Sequence, residues 1–79
     1  MVIHVKLFAT LSRYSGGIAP GVPFDVELPD GATLGDVVSR LKLPREEVKV
    51  FFVNGRARPI SWILAPRDEV GIFPLVAGG

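Results

Sequence analysis

The chain has 79 residues, 48% of them hydrophobic, and nine basic against eight acidic residues give it a net charge of +1. This length allows one small domain, and this composition allows that domain to bury a core. The balanced charge argues against nucleic acid or an anionic membrane as the main partner, and no apolar run approaches the roughly 20 residues of a membrane span. Cysteine is absent and residues 1–6 lack signal-peptide features, so we expect a cytoplasmic protein.

The first part of the chain predicts a hairpin. Apolar and polar residues alternate over residues 3–8 and again over residues 24–28, which is the period of a strand with one buried face. Residues 15–21 between these runs are rich in turn formers. We therefore expect two neighbouring strands joined by a long loop.

One main helix is predicted next. Thr33 can cap its start, and Asp36 is the acidic partner of a capping box three residues later. Pro44 is expected to stop it. The apolar positions after the cap have the spacing of a single helical stripe: Leu34, Val37, Val38 and Leu41.

A second hairpin is predicted after the helix. Residues 48–53 are almost continuously apolar, as in a strand covered on both faces. Asn54-Gly55 predicts a tight turn, because both central residues of that turn need positive φ. Residues 56–60 would return as a short edge strand that contains Pro59, and residues 62–64 would cover the core.

The chain ends with a strand and a tail. After a turn at residues 66–68, residues 69–74 form a fifth strand. One helix and about five strands pack most simply as a mixed sheet on the helix, an α+β fold of the β-grasp, or ubiquitin-like, type. The expected organisation is a β-grasp domain of residues 1–74 and a flexible C-terminal tail of residues 75–79.

Conventional active-site motifs are absent from the sequence. His4 is the single histidine and there is no cysteine, so neither a nucleophile pair nor a cluster of soft metal ligands can be assembled. His4 fits an outward-facing strand position. The glycine-rich residues 16–21 match neither the P-loop nor the dinucleotide fingerprint. We therefore expect a protein that is not an enzyme and holds no metal.

The Gly78-Gly79 ending is the unusual feature of the sequence. Side chains decrease in size towards it through Leu75, Val76 and Ala77. Because glycine lacks Cβ, such a backbone can thread a narrow channel and approach the catalytic atoms of another protein closely. The alternative is a frayed tail without a role. We expect the tail to enter the active site of a partner.

A docking surface is predicted beside this tail. If Val5 and Ile72 face the helix, strand alternation points Phe8 and Phe73 away from it. An exposed apolar patch of this kind binds partners, although residues 9–14 could instead cover Phe8. The predicted partner-binding residues are Phe8, Phe73, Pro74, Leu75, Val76 and Ala77.

The two arginines of the second hairpin and Trp62 each allow a structural and a partner-binding interpretation. Arg56 and Arg58 flank the second hairpin and could meet acidic partner residues, but surface arginines are more often simply solvated. Trp62 fits a lid over the core better than a binding residue.

Several blocks of the sequence carry a family resemblance. They are residues 7–13 with Gly16, residues 33–37, residues 53–55, Leu64 with residues 68–70, and residues 73–79, the last block being the specific one. Together they resemble the MoaD/ThiS-like sulfur carriers along the whole chain. Within that family the sequence is closer to MoaD, the small subunit of molybdopterin synthase.

The resemblance implies a mechanism at the C-terminus. An E1-like adenylyltransferase would use ATP and magnesium to turn the carboxylate of Gly79, which follows Gly78, into an acyl-adenylate. A persulfide on a sulfurtransferase or on the E1-like enzyme would then displace AMP and leave a thiocarboxylate. In the MoaD role, the tail would enter the larger catalytic subunit of molybdopterin synthase and donate sulfur to a pterin precursor. The chain would be a carrier and subunit without a tightly bound cofactor.

Departures from the MoaD pattern leave other roles open. Leu75 stands where a second proline is common, Arg67 stands where a turn glycine is common, and loop 14–21 is long. The same chemistry serves sulfur carriers for tRNA thiolation or thiamine synthesis. A ubiquitin-like modifier, in which Gly79 forms isopeptides with lysines, is the alternative from another class.

Overall fold

The computed structural model describes residues 1–75, which form a five-stranded sheet, one α-helix and two 3-10 segments. The strands are β1 (Val2–Leu7), β2 (Phe24–Glu27), β3 (Val48–Val53), β4 (Arg56–Arg58) and β5 (Glu69–Pro74), and the helix α1 is Leu34–Arg40. The 3-10 segments are Ala9–Ser15 and Arg45–Glu47.

The sheet has the strand order β2-β1-β5-β3-β4. β1 and β5 pair in parallel at its centre, whereas the other neighbouring strands pair in antiparallel fashion. A mixed sheet in this order, packed on one main helix, is the β-grasp, or ubiquitin-like, fold. The predicted fold class is confirmed, and the division into residues 1–74 and a tail of residues 75–79 stays a prediction.

The core lies between the sheet and α1. Every second residue of the two central strands faces it and is almost fully buried: Ile3, Val5, Leu7, Val70 and Ile72. The helix adds Leu34, Val37 and Val38, and the first 3-10 segment adds Leu11. Because burying a side chain of this size contributes about 1.5–3 kcal/mol, the alternation of apolar residues in β1 and β5 determines which face of each strand is turned towards the core.

Thr33 and Asp36 begin α1 as predicted. Thr33 Oγ1 accepts a hydrogen bond from the Asp36 N–H at 3.3 Å, and Asp36 Oδ2 accepts one from the Thr33 N–H at 2.8 Å. This reciprocal capping box satisfies two backbone donors of the first turn. The helix ends at Arg40, and Lys42 turns the chain with a φ of 57°. The helix therefore ends before Pro44 rather than at it.

The β3–β4 hairpin turns at Asn54-Gly55 as predicted, with φ angles of 51° and 83°. The returning strand is Arg56–Arg58, so the prediction of a strand over residues 56–60 is wrong in its end point. Pro59 has no N–H to offer the ladder. The Ile60 carbonyl accepts a hydrogen bond from the Gly35 N–H at 2.9 Å. By Ile60 the chain therefore bonds to the first turn of α1 and not to β3.

Asn54 also fixes the hairpin to the start of β5. Its Nδ2 donates to Asp68 Oδ1 at 2.9 Å, and its Oδ1 accepts the Glu69 N–H at 2.9 Å. The other carboxylate oxygen of Asp68 accepts the Ala65 N–H at 2.8 Å. The turn, the first residues of β5 and the segment before β5 are thus held as one unit.

Apolar coverage is less complete than predicted in two places. β3 alternates between a buried Phe51 and a half-buried Phe52, so one of its faces is open. In the segment of residues 62–64, Leu64 is buried but Ile63 is 65% exposed. Both departures leave apolar side chains at the surface.

Arg67 has a left-handed backbone, with a φ of 67°, in the turn before β5. Its N–H donates to the Val2 carbonyl at 2.7 Å, which holds the turn against the start of β1. A residue with a Cβ loses about 1–2 kcal/mol in this conformation. The backbone therefore explains why a glycine suits this position.

We expect Arg67→Gly to raise the free energy of unfolding by about 0.5 kcal/mol, because relief of the left-handed strain exceeds the entropy that glycine adds to the unfolded chain. Urea denaturation measures the difference. Ala65→Gly is the matched control: Ala65 does not have a positive φ, so the same kind of change should lower stability by about 0.5–1 kcal/mol. An Arg67→Gly protein no more stable than the parent would contradict strain at this turn.

Candidate functional site

Phe8 and Phe73 meet on the face of the sheet opposite to α1. β1 and β5 are parallel with Leu7 beside Ile72, so the next residues of both strands lie side by side on the other face. Their rings stack with centroids 4.2 Å apart and planes 4° apart. Both rings lie on the face that strand alternation predicts, but both side chains are half-buried: the rings cover each other, and Gly21 of the loop lies against Phe8.

Phe52 is a third aromatic residue at this place. Its ring meets that of Phe73 edge-on, with centroids 5.5 Å apart and planes at 79°. We call Phe8, Phe52 and Phe73 the phenylalanine cluster. Sequence reasoning missed Phe52, although its neighbour Phe51 fills the core and alternation alone would have pointed Phe52 outwards. What the sequence lacked was the neighbour relation between β3 and β5.

Gly71 makes a depression beneath this cluster. A Cβ on Gly71 would lie 3.3 Å from Phe8 Cε2 and 3.6 Å from Phe73 Cε2, so the rings lean over a backbone without a side chain. The depression has a volume of about 430 Å³, and Lys6 and Glu69 stand among its lining residues. An apolar floor with one charge of each sign at its border suits a protein partner, because the charges orient what the apolar surface binds.

The base of the tail is attached to the segment before β3. Pro74 is buried and pairs with Val48, and the Leu75 N–H donates to the Glu47 carbonyl at 2.8 Å. The ladder between β5 and β3 therefore continues one residue past Pro74, while the Leu75 side chain is 59% exposed. The site predictions for residues 76–79 lie outside the described residues.

Glu47 also binds two side chains from the first 3-10 segment. Its carboxylate accepts hydrogen bonds from Arg13 at 3.0 Å and from Tyr14 Oη at 3.2 Å. The hydrogen bond from Arg13 to Tyr14, together with the charge of Glu47, raises the pKa of the Arg13 guanidinium. Solvent screens an exposed ion pair of this kind, so it adds little to stability. The main effect of these bonds is to connect Glu47, and through it the base of the tail, to the 3-10 segment after β1.

Side-chain chemistry is sparse in the described part of the chain. Within residues 1–75, no group of three or more His, Cys, Asp or Glu side chains could hold a metal ion, and no helix is long and apolar enough to cross a bilayer. His4 pairs with Asp25 through Nδ1 at 2.6 Å and is a half-buried strand residue. Among the features that can meet a partner are the phenylalanine cluster and the base of the tail.

We expect Leu75→Pro to lower the free energy of unfolding by about 0.5–1.5 kcal/mol, because proline has no N–H for the Glu47 carbonyl. Leu75→Ala is the matched control: it keeps the N–H and removes an exposed side chain, so its effect should stay within about 0.5 kcal/mol. Urea denaturation of both variants measures the difference. Equal stabilities would show that the bond to Glu47 contributes nothing.

The fold and the site define a small ubiquitin-like protein whose last strand carries part of an aromatic cluster and is followed in sequence by residues 75–79, which include Gly78-Gly79. The sequence model of the ThiS family matches residues 5–79. The chain therefore belongs to the ThiS family. It is a ThiS/MoaD-like sulfur carrier or a ubiquitin-like modifier of the same fold.

Solved structures of archaeal proteins share this architecture. A Pyrococcus furiosus protein provisionally assigned as molybdopterin converting factor subunit 1 is 30% identical, with 96% of this chain and 99% of that chain covered and a TM-score of 0.73. SAMP1 of Haloferax volcanii is 24% identical over 100% of both chains, with a TM-score of 0.73. A Caldiarchaeum subterraneum ubiquitin is 22% identical over 100% of this chain and 98% of that one, with a TM-score of 0.60. The last two likenesses show the fold alone. No curated protein matches the chain in sequence.

Proposed function

We propose that this protein is a cytoplasmic sulfur carrier that transfers sulfur from the carboxyl group of Gly79. The observation that supports this most directly is that the ThiS family match continues through Gly79. β5 carries Phe73 of the phenylalanine cluster, and the chain continues towards Gly79 from Leu75, whose N–H is bonded to the Glu47 carbonyl. Cysteine is absent from the sequence, so the sulfur would be carried on the carboxyl carbon and not on a side chain.

The proposed chemistry takes place in partner enzymes. A carboxylate oxygen of Gly79 attacks the α-phosphorus of ATP on an E1-like adenylyltransferase that uses Mg²⁺, and pyrophosphate leaves. The terminal sulfur of a persulfide, on a sulfurtransferase or on the E1-like enzyme, then attacks the acyl carbon and AMP leaves. A thiol cleaves the remaining S–S bond and releases the Gly79 thiocarboxylate. In this scheme ATP and magnesium belong to the partner, and the chain is a substrate and not an enzyme.

The phenylalanine cluster is the proposed docking surface for these partners. Phe8, Phe52 and Phe73 lie around the depression at Gly71, on the face away from the core. Stacked rings present a large apolar area with little conformational entropy left to lose. A partner that covers them would find the tail leaving the domain directly beside its binding site.

We further propose that the acceptor pathway is molybdenum-cofactor synthesis, with this chain as the small subunit beside the larger catalytic subunit of molybdopterin synthase. The 30% identity to the Pyrococcus furiosus protein, whose provisional assignment is to that pathway, supports this choice. The sequence ending of residues 73–79 supports it as well. Sulfur carriers for tRNA thiolation or thiamine synthesis use the same terminal chemistry and are the near alternatives.

A protein modifier is the second candidate function. The likeness in fold to SAMP1, a small archaeal modifier protein, favours it. In that role the activated carboxyl of Gly79 would be attacked by a lysine amine, and an isopeptide would replace the thiocarboxylate.

Mass spectrometry of the protein purified from its native cell tests the two candidates. A mass increase equal to the exchange of one oxygen for sulfur, located at Gly79, is expected for the carrier. A ladder of conjugates linked through Gly79 to lysines, without the sulfur species, would replace the carrier proposal with the modifier. Co-purification with a pterin-binding catalytic subunit separates molybdenum-cofactor synthesis from the other sulfur pathways.

We expect deletion of Gly79 to abolish sulfur loading, because the carboxyl group would end one residue short of the partner's reacting atoms. Folding should be unchanged, since the core lies within residues 3–72. Thiocarboxylate formation with purified partner enzymes and urea denaturation measure the two effects. Adding one residue after Gly79 is the complementary variant and should fail in the same way. Full sulfur loading of either variant would refute the role of Gly79.

We expect Phe73→Ala to weaken binding to the E1-like enzyme by about 2 kcal/mol, roughly thirtyfold, as for a central aromatic residue of an interface. Phe24→Ala is the matched control, because Phe24 is also half-buried in a strand but packs against the core. It should lower stability and leave binding unchanged. Calorimetric titration, at a temperature where both variants are folded, measures the affinities. Equal losses of affinity would point to folding and not to docking.

A further inference from the structure

A groove of about 330 Å³ lies at the β4 edge of the sheet, on the side that faces α1. Its lining includes Val53, Arg56, Arg58, Trp62, Ile63 and Asp68. Arg56 and Arg58 pair with the inward-facing residues Val53 and Phe51, and directly paired residues point to the same face. The groove and the phenylalanine cluster therefore lie on opposite faces of the sheet.

The two arginines of the groove have no salt-bridge partner in the described part of the chain. Neither takes part in the salt bridges formed within residues 1–75. The guanidinium of Arg58 lies 4.0 Å from the ring centroid of Trp62, and its Nε is buried without a hydrogen-bond partner. A cation that has lost water on one side and gained no anion leaves hydrogen-bonding capacity unused. A carboxylate placed there would meet a fixed, planar donor group.

Asp68 forms no salt bridge with either arginine within residues 1–75. Both of its carboxylate oxygens are already hydrogen-bonded, one to Asn54 Nδ2 and the other to the Ala65 N–H. Two arginines and one aspartate leave the groove with an excess of one positive charge. An acidic ligand is therefore the electrostatically matched one.

β4 also offers a free backbone edge. Among the strands of residues 1–75 it is the last of the sheet and pairs only with β3. In a hairpin with a two-residue turn, the residues next to the turn, Val53 and Arg56, are the hydrogen-bonded pair, and the following pair is not hydrogen-bonded. The N–H and C=O of Ala57 consequently point away from β3, and Ala57 is exposed. An extended segment can pair with them.

The opposite wall of the groove is apolar and held in place. Ile63 is 65% exposed beside the ring of Trp62. The Trp62 carbonyl accepts the Leu34 N–H at 3.1 Å, and the Leu64 N–H donates to the Ala32 carbonyl at 2.8 Å. These bonds fix the wall to the start of α1, so a ligand would not have to order it.

We propose that this groove binds an extended acidic segment of a partner protein. The segment pairs with Ala57, places carboxylates on Arg56 and Arg58, and sets an apolar side chain against Trp62 and Ile63. The apolar wall favours a peptide over a nucleic acid. Because the phenylalanine cluster lies on the other face, such a partner can stay bound while the tail is engaged elsewhere. The proposal does not depend on sulfur transfer.

The test is an NMR titration of the full ¹⁵N-labelled chain with a capped peptide in which Glu and Val alternate. Saturable shifts are expected at the Ala57 amide and the Trp62 indole N–H. Arg56→Gln, at an exposed residue whose loss does not threaten folding, should weaken binding about tenfold, as the loss of a charge-assisted hydrogen bond does. Arg58→Gln should do the same, provided that its spectrum shows a folded chain. Arg40→Gln, at an exposed arginine of α1, is the matched control and should bind normally.

Several results would overturn the proposal. They are the absence of shifts in the groove at millimolar peptide, an equal loss of affinity in Arg40→Gln, and equal binding of a peptide in which Lys replaces Glu. Tighter binding of a single-stranded oligonucleotide at the same residues would assign the groove to nucleic acid. Shifts at Ala57 that grow with the concentration of the protein alone, with a rising sedimentation coefficient, would assign it to a second copy of this chain.

Discussion

β1 and β5 run side by side in the same direction at the centre of the sheet, and the position of the phenylalanine cluster depends on that pairing. With Leu7 beside Ile72 in the core, Phe8 and Phe73 must lie beside each other on the opposite face. Parallel strands end at the same edge of a sheet, so β5 ends next to the aromatic stack. An antiparallel pair would have put the end of β5 at the far edge, a strand length away from Phe8. Burial of the alternating aliphatic residues of both strands stabilises this arrangement.

The two faces of the sheet offer chemically different surfaces. The outer face carries stacked aromatic rings around a glycine, and its binding energy would come from apolar contact that salt hardly affects. The β4 edge carries two arginines that form no salt bridge within residues 1–75. Binding of an acidic partner there would weaken as ionic strength rises. A small domain can in this way distinguish partners without changing its conformation. An apolar partner surface would match the aromatic face, and an acidic one would match the β4 edge.

The sequence was sufficient for the fold because each element carries a local signal: alternation in the strands, the Thr33 cap of α1 and the Asn54-Gly55 turn. The site was only partly predictable. The place of Phe52 and the bond to the Glu47 carbonyl depend on β5 lying next to β3, and no short-range pattern reports that neighbour relation. β4 ends earlier than predicted for the same kind of reason, since the Ile60 carbonyl bonds to the distant start of α1. For residues 76–79, which carry the proposed chemistry, the prediction depends on decreasing side-chain size and on family resemblance.

The hydrogen bond between the Leu75 N–H and the Glu47 carbonyl is the last described contact of β5 with the rest of the domain, so the reach of the C-terminal residues is measured from it. Five residues, 75–79, lead from its N–H to the carboxyl carbon of Gly79, and five residues fully extended span at most about 18 Å. An enzyme that works on the carboxyl carbon of Gly79 while this bond stays intact must hold its reacting atoms within that depth of the domain surface. An enzyme with a deeper channel must first detach Leu75 from the sheet. If enzymes act on Gly79 as proposed, the bond would make channel depth a criterion by which this protein distinguishes among enzymes that recognise the same two glycines.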